Sequence, residues 1–289
     1  MDIDKFRIKE GSKVDLDDHP TDFTDGFTDQ DAAKEDLEKN IERMQKLQDT
    51  LYAQNIYSLL IVIQAMDAAG KDSVIEHVMS GVNPQGCRVT SFKAPSAEEL
   101  DHDFLWRSEL ALPRRGEIGI FNRSHYEEVL VVRVHPEILQ AQQLPDKVKS
   151  SHDIWKQRFR QIRDWERMLC ENGTQIVKFF LHVSKDEQKQ RFLARIDEPD
   201  KNWKFSSRDV RERDHWDEYM KAYCDAVAAT STDDAPWYVI PADRKWFTRL
   251  AVSEVLAQKL ESMGLAYPKL SGAALADLQE SKKMLESKP

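Results

Sequence analysis

Cysteine is nearly missing from this chain: Cys87, Cys170 and Cys224 are odd in number and far apart. Three such thiols exclude a disulfide scaffold and show no metal-ligand spacing, so reduced thiols in a cytoplasmic protein are expected. Long apolar runs are missing as well. No stretch reaches the ~18 residues of a membrane span, and Met1-Asp-Ile-Asp-Lys-Phe6 does not read as a secretory signal. Positive charge is in deficit, with 42 Lys and Arg against 51 Asp and Glu and a net charge of −9. That argues against nucleic acid as a partner, and any anionic ligand would need its cations gathered locally. Internal repeats and low-complexity segments are lacking too.

What remains is a globular composition, 40% hydrophobic and 32% charged over 289 residues, enough for a sizeable core. The chain is organised around Ser58-Leu-Leu-Ile-Val-Ile-Gln-Ala-Met-Asp-Ala-Ala-Gly-Lys-Asp-Ser73. Its apolar, β-branched run Leu59–Ile63 reads as a strand buried on both faces. Small residues follow, then Gly70-Lys71-Asp72, then Val74, Ile75 and Val78 at helical spacing. Strand, small-residue loop and helix, with lysine at the helix start, form the layout of a P-loop. There backbone N–H groups and the positive helix end cradle phosphate, and the lysine neutralises it. The strict G-x-x-x-x-G-K-[ST] pattern is broken twice: Ala65 replaces the first glycine and Asp72 the hydroxyl residue. Ala65 implies a negative φ where the loop begins. Asp67 and Asp72 offer oxygen ligands in place of the hydroxyl, suited to magnesium. The bland alternative is an ordinary βα turn with a surface lysine.

In chain order, residues 1–29 are acidic and aperiodic, an extended arm with Phe6, Phe23 and Phe27 as anchors. Leu37, Ile41, Met44, Leu47 and Leu51 predict an amphipathic helix of about 22 residues. Cys87–Lys93 reads as a second strand, and Ser96-Ala-Glu-Glu99 as a capping box opening a helix to Glu109. Glu117–Asn122 is a third strand. Residues 150–171 form a helix with Trp155, Phe159, Ile162 and Leu169 inward, and Gln175–Val183 a fourth strand. Ser184-Lys-Asp-Glu187 caps a helix to Ile196. The basic, aromatic connector Lys201-Asn-Trp-Lys-Phe-Ser-Ser-Arg208 leads to a helix ending near Ala228. Trp237–Pro241 is a fifth strand, Asp243–Met263 a last helix, and the tail from 269 to 289 is expected to be weakly held. Strands alternating with helices give an α/β fold, a P-loop kinase-like three-layer sandwich around a parallel five-stranded sheet. The main domain spans 30–268. Helices at about 185–230 carry no strand between them and suit a helical lid over the loop.

Phosphoryl transfer needs positioned cations and metal around the phosphates, and no covalent nucleophile. Lys71 is the loop lysine, with Ala68, Ala69, Gly70 and Asp72 around it. Asp67, inside the loop, is the first magnesium candidate, with helix capping as its alternative. Asn122 ends the third strand where a Walker B carboxylate would sit, and Glu127 can restore the missing charge or simply form a surface salt bridge. Arg123, Arg133, Arg208, Arg211 and Arg213 offer guanidinium forks that match phosphate. Their acidic neighbours Asp209, Glu212 and Asp214 allow plain helix-face pairing instead. Lys93 and Lys204 complete the cationic set. His77, His125 and His135 read as satisfied polar residues, and Trp203, Trp216, Trp237 and Trp246 as lid and core packing.

Five segments together resemble the family-2 polyphosphate kinases: Gln64–Asp72, Ser91-Phe-Lys-Ala-Pro-Ser96, His102-Asp-Phe-Leu-Trp-Arg107, Phe121-Asn-Arg-Ser-His-Tyr126 and Ser231–Tyr238. They occur in the same order, and the resemblance runs from about residue 2 to 265. It implies Mg2+, with Mn2+ as a substitute, facing Asp67 and Asn122. It also implies a polyphosphate path lined by Lys71, Arg123, Arg133 and Arg208 beneath a lid, and a homo-oligomer, dimer or tetramer. Other members carry Asp where this chain has Asn122. The Asn122-Arg-Ser version is similar to the subgroup acting on both AMP and ADP. The implied activity is reversible transfer of a terminal phosphoryl group from polyphosphate to ADP and AMP, with guanine nucleotides as further acceptors. An ATP-dependent kinase of a small metabolite and a non-catalytic nucleotide or polyphosphate sensor are the rival readings.

Overall fold

The computed structural model describes residues 1–287. One mixed sheet of six strands runs through the molecule: β1 (Arg7–Ile8), β2 (Ser58–Ala65), β3 (Cys87–Ser91), β4 (Ile118–Asn122), β5 (Thr174–His182) and β6 (Trp237–Pro241), in the order β1-β6-β5-β2-β4-β3. The last five are parallel, as the alternating pattern predicts. The expected count of five is corrected to six by β1, which pairs antiparallel with β6 through Arg7↔Tyr238 and Ile8↔Trp237. Two residues are too few to show alternation in sequence. Backbone pairing reveals the strand instead, with Ser231 Oγ donating to Ile8 O at 2.6 Å.

β2 is buried at every position and lies between β4 and β5. The chain therefore leaves β2 where the strand order reverses, the place at which open α/β sheets bind ligands. Helices cover both faces. Gln30–Gln54 packs on Lys245–Ser262, with Met44, Leu51, Val252 and Val255 in the core. Ile154–Glu171 and Trp216–Thr230 pack on each other, and Ile154–Glu171 packs against β5. From the N-terminal segment, Phe6 sits 6.1 Å from Phe247 and Phe23 6.3 Å from it, both edge-on.

The capping box at Ser96 is present, but its helix is two short pieces, Ala97–Leu100 and Trp106–Glu109. Asp103 Oδ1 accepts from Leu105 N at 2.9 Å, a local turn that competes with the helical ladder. The helix Gly272–Glu286 is exposed along its whole length.

Candidate active site

β2 ends at Ala65, and Met66–Gly70 forms the loop before helix Lys71–Val78. The left-handed residues of the turn are Ala68 (φ 60°) and Gly70 (φ 108°), while Ala65 remains extended as its alanine side chain requires. Alanine in the left-handed region costs about 1–2 kcal/mol and persists only where the surroundings hold it. Five successive carbonyls supply that hold. Lys71 Nζ donates to Ala65 O (2.9 Å) and Met66 O (3.3 Å), and Gln188 Nε2 to Asp67 O (2.8 Å). Arg191 Nη1 donates to Ala68 O (3.0 Å) and Ala69 O (2.8 Å). The other guanidinium arm of Arg191 reaches Ala242 O (2.6 Å) and Asp243 O (3.1 Å) beyond β6. Arg213 in turn donates to Gln188 Oε1 at 2.6 Å. With its carbonyls taken from behind, the loop presents the first-turn amides of helix Lys71–Val78, which have no intrahelical partners, to a ligand.

β4 delivers the second half of the site. Ile63 pairs with Asn122, so Arg123 emerges beside the loop, its N–H donating to Ile63 O at 3.1 Å. Arg123 is also left-handed, at φ 61°. Its Nη2 donates to Asp67 Oδ1 at 2.6 Å and its Nη1 lies 3.9 Å from Glu127 Oε2. Gln64 fits best with its amide nitrogen donating to Glu127 Oε1 at 3.0 Å and its oxygen accepting from Ser124 Oγ. Burial works against the Arg123 charge, but Glu127 and Asp67 outweigh it and fix the guanidinium as a cation. Burial also raises the Glu127 carboxyl above its ordinary range despite Arg123 and Lys71. The Lys71 ammonium is lowered by the same desolvation. Asn122 faces elsewhere: its Nδ2 donates to Asp72 Oδ1 at 2.6 Å. The metal candidates thus fall into two groups, Asp67–Arg123–Glu127 and Asn122–Asp72.

A cavity of about 610 Å³ opens in front of the first group. Asp67, Lys93, Arg123, Glu127 and Arg208 line its polar part, and Phe92, Phe104, Val132, Ile138 and Leu144 its apolar part. Lys71, Asp72 and Asn122 stand beside rather than on its wall. Arg133 is paired with Asp225 Oδ2 at 2.5 Å, and Lys204 rests over Trp203 at 4.9 Å. Arg211 reaches only Ser207 Oγ, at 3.3 Å. His77 takes Ser73 O at 2.9 Å and His135 takes Glu212 Oε2 at 2.8 Å. His125, read as a satisfied polar residue, makes no well-formed hydrogen bond on either ring nitrogen. Its Nε2 lies 3.5 Å from the buried Glu166 Oε1, and burial lowers its pKa although Glu166 opposes the shift. Trp237 is core, and Trp203 is 78% exposed. Sequence reasoning missed Arg191 and Gln188, which sit three residues apart on Lys185–Asp197 behind a capping box and look like surface charge until the loop is placed against them. The three cysteines are unpaired, and burial pushes the Cys87 and Cys170 thiols up to about 11.

A mostly parallel sheet with a lysine-headed loop at its reversal point, facing a cavity part charged and part apolar, defines a P-loop phosphotransferase. Within that class the chain belongs to the polyphosphate kinase 2 (PPK2) family, whose pattern matches residues 27–267. It is 53% identical over 281 residues to the ADP-polyphosphate phosphotransferase of Rhodopseudomonas palustris, covering 97% of each chain. It is 46% identical over 265 residues to the AMP/ADP-polyphosphate phosphotransferase of Meiothermus ruber, covering 91% of this chain and 95% of that one. The crystal structure of polyphosphate kinase 2 from Arthrobacter aurescens TC1 superimposes with a TM-score of 0.87 at 40% identity, over 98% and 95% of the two chains.

Proposed function

We propose that this chain transfers the terminal phosphoryl group of inorganic polyphosphate to ADP and to AMP, reversibly. The observation that carries this is the cavity itself. Its charged end holds Asp67, Arg123 and Glu127 at the phosphate loop, and its apolar walls of Phe92, Phe104 and Leu144 match a nucleoside ring system. The names of the two relatives differ in acceptor, ADP in one and AMP with ADP in the other. We assign both acceptors, because the Asn122-Arg-Ser segment carries the amide form at the end of β4.

Among the described residues no three acidic, imidazole or thiol groups converge into a metal cage. Mg2+ takes one or two carboxylates and completes its shell with phosphate and water. Asp67 and Glu127 would hold it, with Asn122 and Asp72 at the adjacent strand end, and Mn2+ would substitute. When bound, the ion neutralises charge on the phosphates. Lys71 and the loop amides orient the transferred group, Arg123 sets the position of Asp67, and Arg208, with Lys93 across the cavity, meets the polyphosphate chain. The lid expected at about 185–230 narrows to the exposed segment 199–215, because helix Lys185–Asp197 holds the loop carbonyls and helix Trp216–Thr230 is packed in the core. That segment would exclude water while the chain is held. Arg133 and Lys204 extend the path outside the cavity. The remaining expectations, a homo-oligomer of two or four copies in the cytoplasm, accompany this reading. No helix among the described residues is long and apolar enough to cross a membrane.

Product analysis with AMP as sole acceptor, polyphosphate as donor and Mg2+ present tests the reading. ADP, followed by ATP, is the expected product. ATP formed from ADP but never ADP from AMP would remove AMP. Phosphoryl transfer from ATP alone would favour a small-metabolite kinase, and tight binding without turnover a sensor.

A further inference from the structure

Lys178 sits in the middle of β5 and is fully buried, between Val177 and Phe179. Its Nζ lies 2.5 Å from Glu166 Oε2, and Glu166 is equally buried on helix Ile154–Glu171. Burying an ion pair in an apolar core costs several kcal/mol per ion, and such a pair is often no better than two well-packed apolar residues. Stability therefore gives no reason for it, which directs attention to what else the pair touches. The Tyr126 hydroxyl donates to Glu166 Oε1 (2.8 Å), accepts from Lys178 Nζ (3.1 Å) and lies 2.9 Å from Thr230 Oγ1. Lys178 also donates to Thr230 O at 2.7 Å, at the end of helix Trp216–Thr230. Tyr126 belongs to the turn His125–Glu128, so it stands between the two groups that meet in the cavity, Arg123 and Glu127. Its own N–H donates to Ser124 Oγ at 3.2 Å. This turn must keep Arg123 in a left-handed conformation, which a non-glycine residue holds only under constraint from its surroundings.

We propose that the buried Lys178–Glu166 pair is a positioning device: through the Tyr126 hydroxyl it pins the turn that aims Arg123 at Asp67. The same pair ties that turn to the C-terminal end of helix Trp216–Thr230. The inference rests on the assignment of Arg123 and Asp67 to the site.

The double variant Lys178→Met, Glu166→Leu replaces the pair by apolar groups of similar volume and tests it. The expected result is a folded protein with unchanged or raised Tm, kcat lowered at least tenfold, and KM for polyphosphate and ADP within about threefold. Tyr126→Phe keeps the ring against Trp237 and removes only the hydroxyl. The same fall in kcat is expected in a folded protein whose Tm is lowered, because the buried Glu166 Oε1 loses its donor. Adding it to the double variant should produce no further loss, because all three act through one link. Wild-type kcat in the stable double variant, or in Tyr126→Phe, would overturn the inference, as would multiplied losses in the triple variant. Should the double variant not fold, Tyr126→Phe alone decides. Arg123→Ala measured alongside separates the two levels. If it is fully active, the site assignment fails. If it is inactive beside a wild-type Tyr126→Phe, only the positioning role falls.

Discussion

The phosphate loop and the basic connector from Lys201 to Arg208 carry charge to the same cavity but are built in opposite ways. In the loop, every carbonyl from Ala65 to Ala69 is met by Lys71, Gln188 or Arg191. Around the connector, Arg208 is 73% exposed with only Glu212 at 3.7 Å, and Trp203 stands free beside Lys204. One side is held by hydrogen bonds within the protein; the other has its cations in water, so a ligand meeting them would have to order them. Preorganised groups act on the transition state at no reorganisation cost, whereas exposed cations mostly add binding that salt screens. The contrast predicts that loop changes lower kcat and connector changes raise KM.

The largest effect is expected at the fixed side. Lys71→Ala removes both the cation and the donor to two loop carbonyls, and should lower kcat by 10²–10³, about 3–4 kcal/mol. A folded variant with near wild-type kcat would remove the P-loop assignment. Arg191→Met comes next. It leaves four carbonyls without their donor, so a loss of about 1–3 kcal/mol in stability is expected, with kcat reduced by 10–100-fold through loop misplacement. Thermal unfolding and steady-state kinetics together check it. A variant that loses stability but keeps kcat would show that the loop does not need its strut.

Glu127 sharpens the fixed side through pH. Its carboxyl is raised by burial, with Arg123 and Lys71 opposing, so folding makes it easier to protonate than in the unfolded chain. The stability it contributes is present below its unfolded pKa and lost as pH rises through the folded value. Activity runs the other way, since Arg123 and a cation both require the charge. kcat/KM of the free enzyme should therefore fall on the acid side at a higher pH than an ordinary glutamate would set. In Glu127→Gln that limb should disappear, and stability above the window should rise. An unchanged acid limb would take Glu127 out of the site.

Asn122→Asp tests the second group. It would set a carboxylate against Asp72, whose Oδ1 is now 2.6 Å from the Asn122 amide. Without divalent ion the variant should be less stable, by about 1–2 kcal/mol, and Mg2+ should restore it with a midpoint about tenfold lower, ~1.4 kcal/mol. Melting curves with and without Mg2+ read this directly. Equal stability in both would show that the Asn122–Asp72 end does not meet the ion.

Legibility in the sequence follows the same division. Leu59–Ile63, Gly70-Lys71 and the strand–helix alternation announce themselves because burial periodicity and loop chemistry are local, and five of six strands are read from them. β1 is not, because two residues have no period and its pairing is with a strand some 230 residues on. Asp67, Arg123 and Glu127 can be picked out as charges beside a buried strand. That Asn122 turns to Asp72, and that Arg133 pairs with Asp225, depends on side-chain directions that spacing does not encode. Lys178 is the harder case: an apolar strand reads the same with or without one lysine, and only the contact with Glu166 gives it meaning.

The smallest effect separates two arginines on one short helix, Ser207–Glu212. Arg208 lines the cavity, whereas Arg211 does not and touches only Ser207 Oγ. Both are surface cations on the same element, so helix propensity and net charge change equally when either becomes alanine. If the exposed side works through ligand-ordered cations, Arg208→Ala should raise KM for polyphosphate by roughly 3–10-fold, about 0.7–1.4 kcal/mol, with kcat nearly unchanged. Arg211→Ala should stay within twofold in both constants. Because an exposed cation acts through water, the difference between the two variants should shrink as ionic strength rises from about 0.05 to 0.5 M, where the Debye length falls well below 10 Å. Steady-state kinetics over a salt series measures this. A fall in kcat for Arg208→Ala that salt leaves untouched would place Arg208 with the fixed groups, and the distinction between the two sides of the cavity would not hold.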